Sequence, residues 1–202
     1  MKLYYSPGAC SLSPHIALCE AGLKFDLEKV DLKMKKTETG KDFFSVSPSG
    51  YVPALEIAPG DVITEGPAIV QYIADQAPEA RLAPANGTRE RYTLQSWLNF
   101  ITAEIHKGFG ALFNPMAPAD YKPVAKAMLE KRLGTVAQHL ERNDYLLGKD
   151  FSVADCYLFV TSGWAPHVGI ELSTWPALVR YRERIEKRPA VQAALKAEGL
   201  IK

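Results

Sequence analysis

Cysteine is scarce in this chain: three in 202 residues, Cys10, Cys19 and Cys156, with no C-x-x-C pair. That excludes a small disulfide-stapled domain and the two-thiol redox motif. With no signal-peptide pattern at the start, it reads as a reducing, cytoplasmic setting. Cys10 and Cys19 fall on what reads as one helix edge, about 13 Å apart at the helical rise, too far for a disulfide. No Cys/His cluster has metal-ligand spacing, so no metal is expected. Charge of one sign is missing too. Lys and Arg number 24 against 23 Asp and Glu, a net +1 that gives no field to draw in nucleic acid or an anionic membrane. No apolar run approaches the ~20 residues of a membrane span.

What is present is ordinary in bulk and specific in detail. At 47% hydrophobic and 23% charged residues, the chain can bury a sizeable core as one large domain or two small ones. Lys2–Tyr5 reads as a strand and Ser11–Ala21 as a helix ended by Gly22. Phe25–Leu32 alternates apolar and polar as a second strand. Strand, helix and strand in about 30 residues make a βαβ unit with parallel strands. The lysine-rich stretch Lys33–Asp42 reads as a solvated loop. Leu55–Ile57 and Val62–Thr64 form a hairpin across Pro59-Gly60-Asp61. Pro53 lies just ahead of the first of these strands, where proline is tolerated and a cis bond is one option. Pro67–Ala77 is the next helix.

Pro78–Gly87 lacks periodicity and reads as a linker. Beyond it only helical patterns occur, roughly Arg89–Phe113, Ala119–Arg142, Val153–Val168, Trp175–Lys187 and Ala190–Ala197. The expected division is therefore a mixed α/β domain over residues 1–80 and an all-helical domain over 88–202. Ser152-Val153-Ala154-Asp155 has the pattern of a capping box, a folding signal rather than a site.

Chemistry concentrates at Leu3–Leu18. Cys10 stands where a strand ends and a helix begins, between a Ser6-Pro7-Gly8 turn and two candidate capping serines, Ser11 and Ser13. Unpaired N–H groups and the positive end of the helix dipole favour an anion there. The expectation is a thiol that ionises below the usual value of about 8.5. In the first long helix Asn99, Ala103 and His106 fall at i, i+4 and i+7, one face of an α-helix, with a small residue between two polar ones. His15, His139 and His167 read as packing or surface histidines.

A thiol after the first strand, a proline ahead of the third, Thr64-Glu65-Gly66 at a helix start and Phe151-Ser152-Val153-Ala154-Asp155 later on, in that order, resemble the cytosolic glutathione transferases. Cys10 together with Glu104-Ile105-His106-Lys107-Gly108-Phe109 resembles the bacterial beta class in particular, over the whole chain. The resemblance implies a thioredoxin-like N-terminal domain (βαβ-ββα), an all-helical C-terminal domain, and a homodimer with a glutathione site in each interdomain cleft. It places Cys10 beside, or bonded to, the glutathione sulfur. Val52, ahead of a cis Pro53, offers backbone groups to the cysteinyl part. Glu65 takes the γ-glutamyl ammonium, and the helix-start N–H groups from Gly66 take its carboxylate. Gly66 replaces the Ser of many relatives in other classes. Lys35 reaches the glycyl carboxylate, while Asn99, Ala103, Glu104, Ile105 and His106 close the site, with His106 nearest the sulfur.

The implied activity is conjugation of glutathione to small hydrophobic electrophiles bound by some of Phe109, Phe113, Met116 and Trp164. Cysteine at position 10 also permits thiol transfer or reductive dehalogenation through a mixed disulfide. Two other classes fit the residues. One is a non-catalytic glutathione-fold binding or stress-interaction protein. The other is a thiol hydrolase built on Cys10 and His106, for which no oxyanion hole or orienting group is visible.

Overall fold

The computed structural model describes residues 1–202, which divide into two units. The first comprises Met1–Ala83 together with Lys187–Lys202, and the second Pro84–Glu186. The boundary between Ala83 and Pro84 lies inside the segment read as a linker. The last sixteen residues depart from the sequence expectation, which left them in the helical domain. Their helix packs on the first helix of the chain, because its apolar face (Val191, Ala194, Leu195) is buried there.

The first unit is a five-stranded sheet in the order β3-β2-β1-β4-β5. Strand β1 (Lys2–Tyr5) pairs parallel with β2 (Asp26–Asp31) and antiparallel with β4 (Ala54–Ala58), which returns through β5 (Asp61–Thr64). Helix α1 (Leu12–Glu20) connects the parallel pair, as a crossover must. Its residues from Leu12 to Leu18 are all buried, so it is covered on several sides and carries little amphipathic signal. Helix α2 (Gly66–Gln76) follows β5 and packs against α1, burying Ile69, Val70, Ile73 and Ala74. Below the sheet Tyr4, Val30, Phe43, Val46, Val52 and Ala54 form one apolar cluster.

One expectation fails here. Lys33–Asp42 is not merely a solvated loop, because β3 (Lys36–Thr37) folds back onto Val30 and Asp31. The cause is a buried acid. Glu28 faces inward on β2 and takes hydrogen bonds from Lys2 Nζ (3.0 Å) and the Thr39 hydroxyl, which draws the stretch into the sheet edge.

The second unit contains α3 (Arg89–Phe100), α4 (Gly110–Phe113), α5 (Tyr121–Leu140), α6 (Val153–Ser162) and α7 (Pro176–Glu186). Between α3 and α4 the chain continues as a π-helix over Ile101–His106 and a 3₁₀ turn over Lys107–Phe109. Every residue of α6 is buried. The remaining helix, α8 (Pro189–Ala197), is the one that joins the first unit.

The start of α6 holds a buried carboxylate with several donors. Asp155 is fully buried and accepts from Ser152 N–H (2.8 Å), Ser152 Oγ (2.9 Å), Leu146 N–H (2.9 Å) and Tyr181 Oη (3.0 Å). The capping pattern thus also ties α7 and the Tyr145–Gly148 turn to α6. Removing the acceptor strands several buried donors, each costing about 1–3 kcal/mol. Asp155→Ala is expected to lower unfolding free energy by about 3 kcal/mol or more, read by denaturant unfolding. Asp155→Asn, which keeps one oxygen, loses less.

Candidate active site

In the first unit the strand–helix junction converges on a sulfur. After β1, Ser6–Ser11 make a compact turn closed by Ala9 N–H to Ser6 O (3.0 Å) and Leu12 N–H to Ala9 O (3.0 Å). Ser11 is the residue before α1, yet its hydroxyl makes no capping bond. It accepts from Ser6 N–H (3.0 Å) and donates to Ser6 O (3.2 Å), so it closes the turn instead. Gly8 adopts a left-handed φ of 70° at the apex, a conformation glycine takes without steric penalty. Its N–H donates to Glu198 Oε2 at 2.9 Å, and Glu198 Oε1 lies 2.8 Å from His15 Nδ1 on α1. His15 is therefore a buried partner of a carboxylate, a role its sequence neighbours do not reveal.

Cys10 Sγ donates to the carbonyl of Val52 at 3.2 Å. The Val52–Pro53 peptide is cis, and both residues are buried at the entrance to β4. The expectation of a low thiol pKa is overturned. Burial pushes the Cys10 thiol up to about 11, with the Glu65 carboxylate acting in the same direction. The backbone N–H groups of Cys10 and Ser11 pull it down, as the helix-start argument anticipated, but desolvation outweighs them.

The other predicted residues of the first unit are engaged as follows. Glu65 precedes α2, exposed and without a side-chain capping bond, at φ 66°. Of the first four N–H positions of α2, Pro67 has none. Ala68 and Ile69 both donate back to Glu65 O at 3.0 Å. The group of helix-start donors expected from the sequence thus reduces to the Gly66 N–H. A Cβ at Gly66 would lie 3.8 Å from Pro53 Cγ, ordinary contact, so a serine fits there. Lys35, at φ 53°, spends its ammonium on Gly50 O (2.8 Å) and lies 5.3 Å from the centre of the Tyr51 ring.

In the second unit the π-helix rearranges the predicted face. Its wider turn rotates residues after Ile101 relative to α3, so Asn99, Ala103 and His106 do not keep the common stripe an α-helix gives them. Asn99 and Ala103 are exposed, and His106 is half-buried. Ile105 is fully buried in the core, and Glu104 is ion-paired to Arg132 at 2.6 Å. His106 Nδ1 lies 2.6 Å from Tyr157 Oη, and its ring meets Trp164 edge-on at 5.0 Å. Phe109 stacks on Phe113 at 5.7 Å, and both meet Trp164 edge-on. Phe109 is buried, Phe113 is 48% exposed and Trp164 is half-buried, so the last two keep apolar surface free. Met116, 86% exposed, lies outside this ring cluster. Tyr157, as the partner of His106, was not legible, since its place in the α6 pattern reads only as core.

The comparisons with known proteins decide the family. The models described as glutathione S-transferase N-terminal domain and C-terminal domain match residues 8–76 and 100–189. Glutathione S-transferase GstA of Escherichia coli O157:H7 is 47% identical, over 99% of this chain and 100% of that protein. The chain belongs to the glutathione S-transferase family. A bacterial beta-class glutathione S-transferase of Sphingomonas chungbukensis superposes with a TM-score of 0.96 at 53% identity, each chain fully covered. A sphingomonad glutathione S-transferase solved with glutathione gives 0.96 at 51%, again covering both chains in full. The transferase fold expected from the sequence, a thioredoxin-like domain and a helical one, is thereby established. No helix is long and apolar enough to cross a membrane.

Two titrations follow from this transferase's geometry. Alkylation of Cys10 in ligand-free protein, followed on its own peptide by mass spectrometry, is expected to have its pH midpoint near 11, set by burial. A midpoint at the ordinary thiol value of about 8.5 contradicts it. Burial and Lys107 hold His106 below 6.5. The unfolded chain then binds the proton more readily, so the stability that the neutral ring contributes is present above pH 6.5 and lost as pH falls through the folded value. A histidine NMR titration with a midpoint above 6.5 excludes this.

Proposed function

We propose that this protein joins the thiolate of glutathione to small hydrophobic electrophiles, with Cys10 at the sulfur. The observation that carries the reading is the hydrogen bond from Cys10 Sγ to the Val52 carbonyl, beside the buried Pro53. An extended tripeptide lying against Val52 sets its own sulfur close to Cys10. Backbone strain supports the binding roles. Only three non-glycine residues have positive φ: Lys35, Glu65 and Arg81. Two of them are residues that the family resemblance assigns to glutathione. A strained residue costs about 1–3 kcal/mol and persists where function requires its direction.

In this reading Glu65 accepts from the γ-glutamyl ammonium, Gly66 N–H donates to the adjacent carboxylate, and Lys35 trades Gly50 O for the glycyl carboxylate. Pro53 shapes the platform. Asn99, Ala103 and the backbone of Glu104 and Ile105 contribute from the π-helix region. His106, neutral and held by Tyr157, donates to the thiolate, and Phe113 and Trp164 offer the electrophile an apolar surface.

The glutathione proton leaves to water, the sulfur attacks carbon, and a halide or other leaving group departs with its electron pair. Lowering the thiol pKa by two units takes about 2.7 kcal/mol of differential interaction, which N–H donors and His106 share. The protein acts as a cytoplasmic homodimer, on the strength of the family resemblance. The second reaction runs through Cys10. The Cys10 thiolate attacks the glutathionyl sulfur of a substrate–glutathione mixed disulfide, and the substrate leaves as its thiolate. A second glutathione thiolate attacks the Cys10–glutathione disulfide, releasing oxidised glutathione and restoring the Cys10 thiolate. In a reductive dehalogenation glutathione first displaces the halide, and the Cys10 thiolate then attacks the sulfur of that conjugate. The carbon leaves with the electron pair and takes a proton, and a second glutathione thiolate resolves the mixed disulfide.

Cys10→Ala is expected to abolish thiol transfer while retaining part of the conjugation rate. Equal loss of both in steady-state assays argues against separate roles. Glu65→Gly is expected to raise unfolding free energy by about 1 kcal/mol through relief of strain, and to weaken glutathione binding in calorimetry. Unchanged affinity removes Glu65 from the site. No uptake of glutathione by the reduced wild-type protein would falsify the reading as a whole.

A further inference from the structure

The His106 imidazole is gripped at one of its two nitrogens. Nδ1 lies 2.6 Å from Tyr157 Oη, at the short end of the hydrogen-bond range. The two rings meet edge-on at 5.8 Å and 84°, and Trp164 meets the imidazole as well, at 5.0 Å and 68°. Tyr157 sits on α6, every residue of which is buried, so packing holds its hydroxyl in place. A buried tyrosine hydroxyl seeks a partner, and the chemistry of the pair sets the direction of the bond. A phenol is an acid with a pKa of about 10, and an imidazole is a base with a pKa of about 6.5. Pairing acid with base makes the Tyr157 hydroxyl the donor and Nδ1 the acceptor. In a neutral imidazole one nitrogen accepts and the other carries the proton, which therefore stands on Nε2. The charged neighbours do not disturb this. Lys107 acts on the ring only by opposing a positive charge on it, and Glu104 is spent on Arg132 of α5.

We propose that Tyr157 is a positioning residue for His106: by donating to Nδ1 it holds the imidazole in the tautomer whose proton is on Nε2, the nitrogen left to donate. Its bearing on catalysis rests on the reading of His106 as a donor to the glutathione thiolate. Without the phenol the ring is free to carry its proton on Nδ1. The lone pair on Nε2 then opposes a thiolate instead of donating a hydrogen bond to it.

The test begins with the ¹⁵N NMR spectrum of glutathione-free, full-length wild-type protein, with the His106 signals assigned by their loss in His106→Gln. It is expected to show a protonated Nε2 and a bare Nδ1. Tyr157→Phe is then titrated. A hydroxyl donated to Nδ1 favours the neutral ring, so its removal is expected to raise the His106 midpoint by about 0.5 pH unit or more, within the roughly one unit that a single hydrogen bond supplies. Had the ring been the donor, charging it would strengthen the bond, and removal would lower the midpoint. Tyr181→Phe deletes another buried phenol, the one on Asp155, and is expected to lower Tm with the His106 midpoint unchanged. In steady-state conjugation Tyr157→Phe is expected to lower kcat about five- to tenfold, with KM for glutathione within about twofold of wild type. The proposal is overturned by a wild-type spectrum with the proton on Nδ1, by an unchanged or lowered midpoint in Tyr157→Phe, by Tyr181→Phe raising the midpoint as much, or by a kcat within about twofold of wild type. Should Tyr157→Phe not fold, the wild-type spectrum decides alone. The NMR measurements contain no glutathione, so their failure leaves the glutathione reading standing, and calorimetric failure of that reading leaves the tautomer result intact.

Discussion

A sulfur held 3.2 Å from a backbone carbonyl organises the first unit. For that contact to exist, the chain must leave β1, turn through Gly8 at a left-handed φ and enter α1 within six residues. It must also approach β4 through a buried proline. Desolvation then dominates the thiol, which explains why a helix start that ordinarily favours anions leaves Cys10 protonated.

The second unit rests on a different kind of constraint. Asp155 is buried with four donors around it, so α6, α7 and the turn before α6 are joined by one carboxylate. Buried charge is tolerated only when satisfied to this extent. The arrangement fixes α6, from which Tyr157 reaches His106 and after which Trp164 meets the same ring. A folding device and the orientation of the His106 imidazole are thus two outputs of one element.

Much of this was legible because local signals agreed with one another. The βαβ start, the hairpin, the proline ahead of β4 and the Ser152–Asp155 pattern are short-range statements, and the structure contains each. What was missed depended on contacts distant in sequence. Thr39 reaches Glu28 and pulls a supposed loop into β3; Glu198 reaches back 190 residues to Gly8; Pro189–Ala197 leaves the helical unit for α1. The π-helix is a further case, since Ile101–His106 has an ordinary helical composition and the widened turn has no residue signature. The thiol pKa failed for a physical reason, because a sequence shows where dipoles start but not how deeply an atom is sunk.

Pro67 has a consequence of its own. A helix beginning with three or four open donors is a general cradle for oxyanions, phosphates included. Proline at the second position, and two neighbours that fold back onto Glu65 O, leave the Gly66 amide alone. Such an end presents one donor where an open helix start presents three or four, and so lacks the multiple N–H groups of a phosphate cradle.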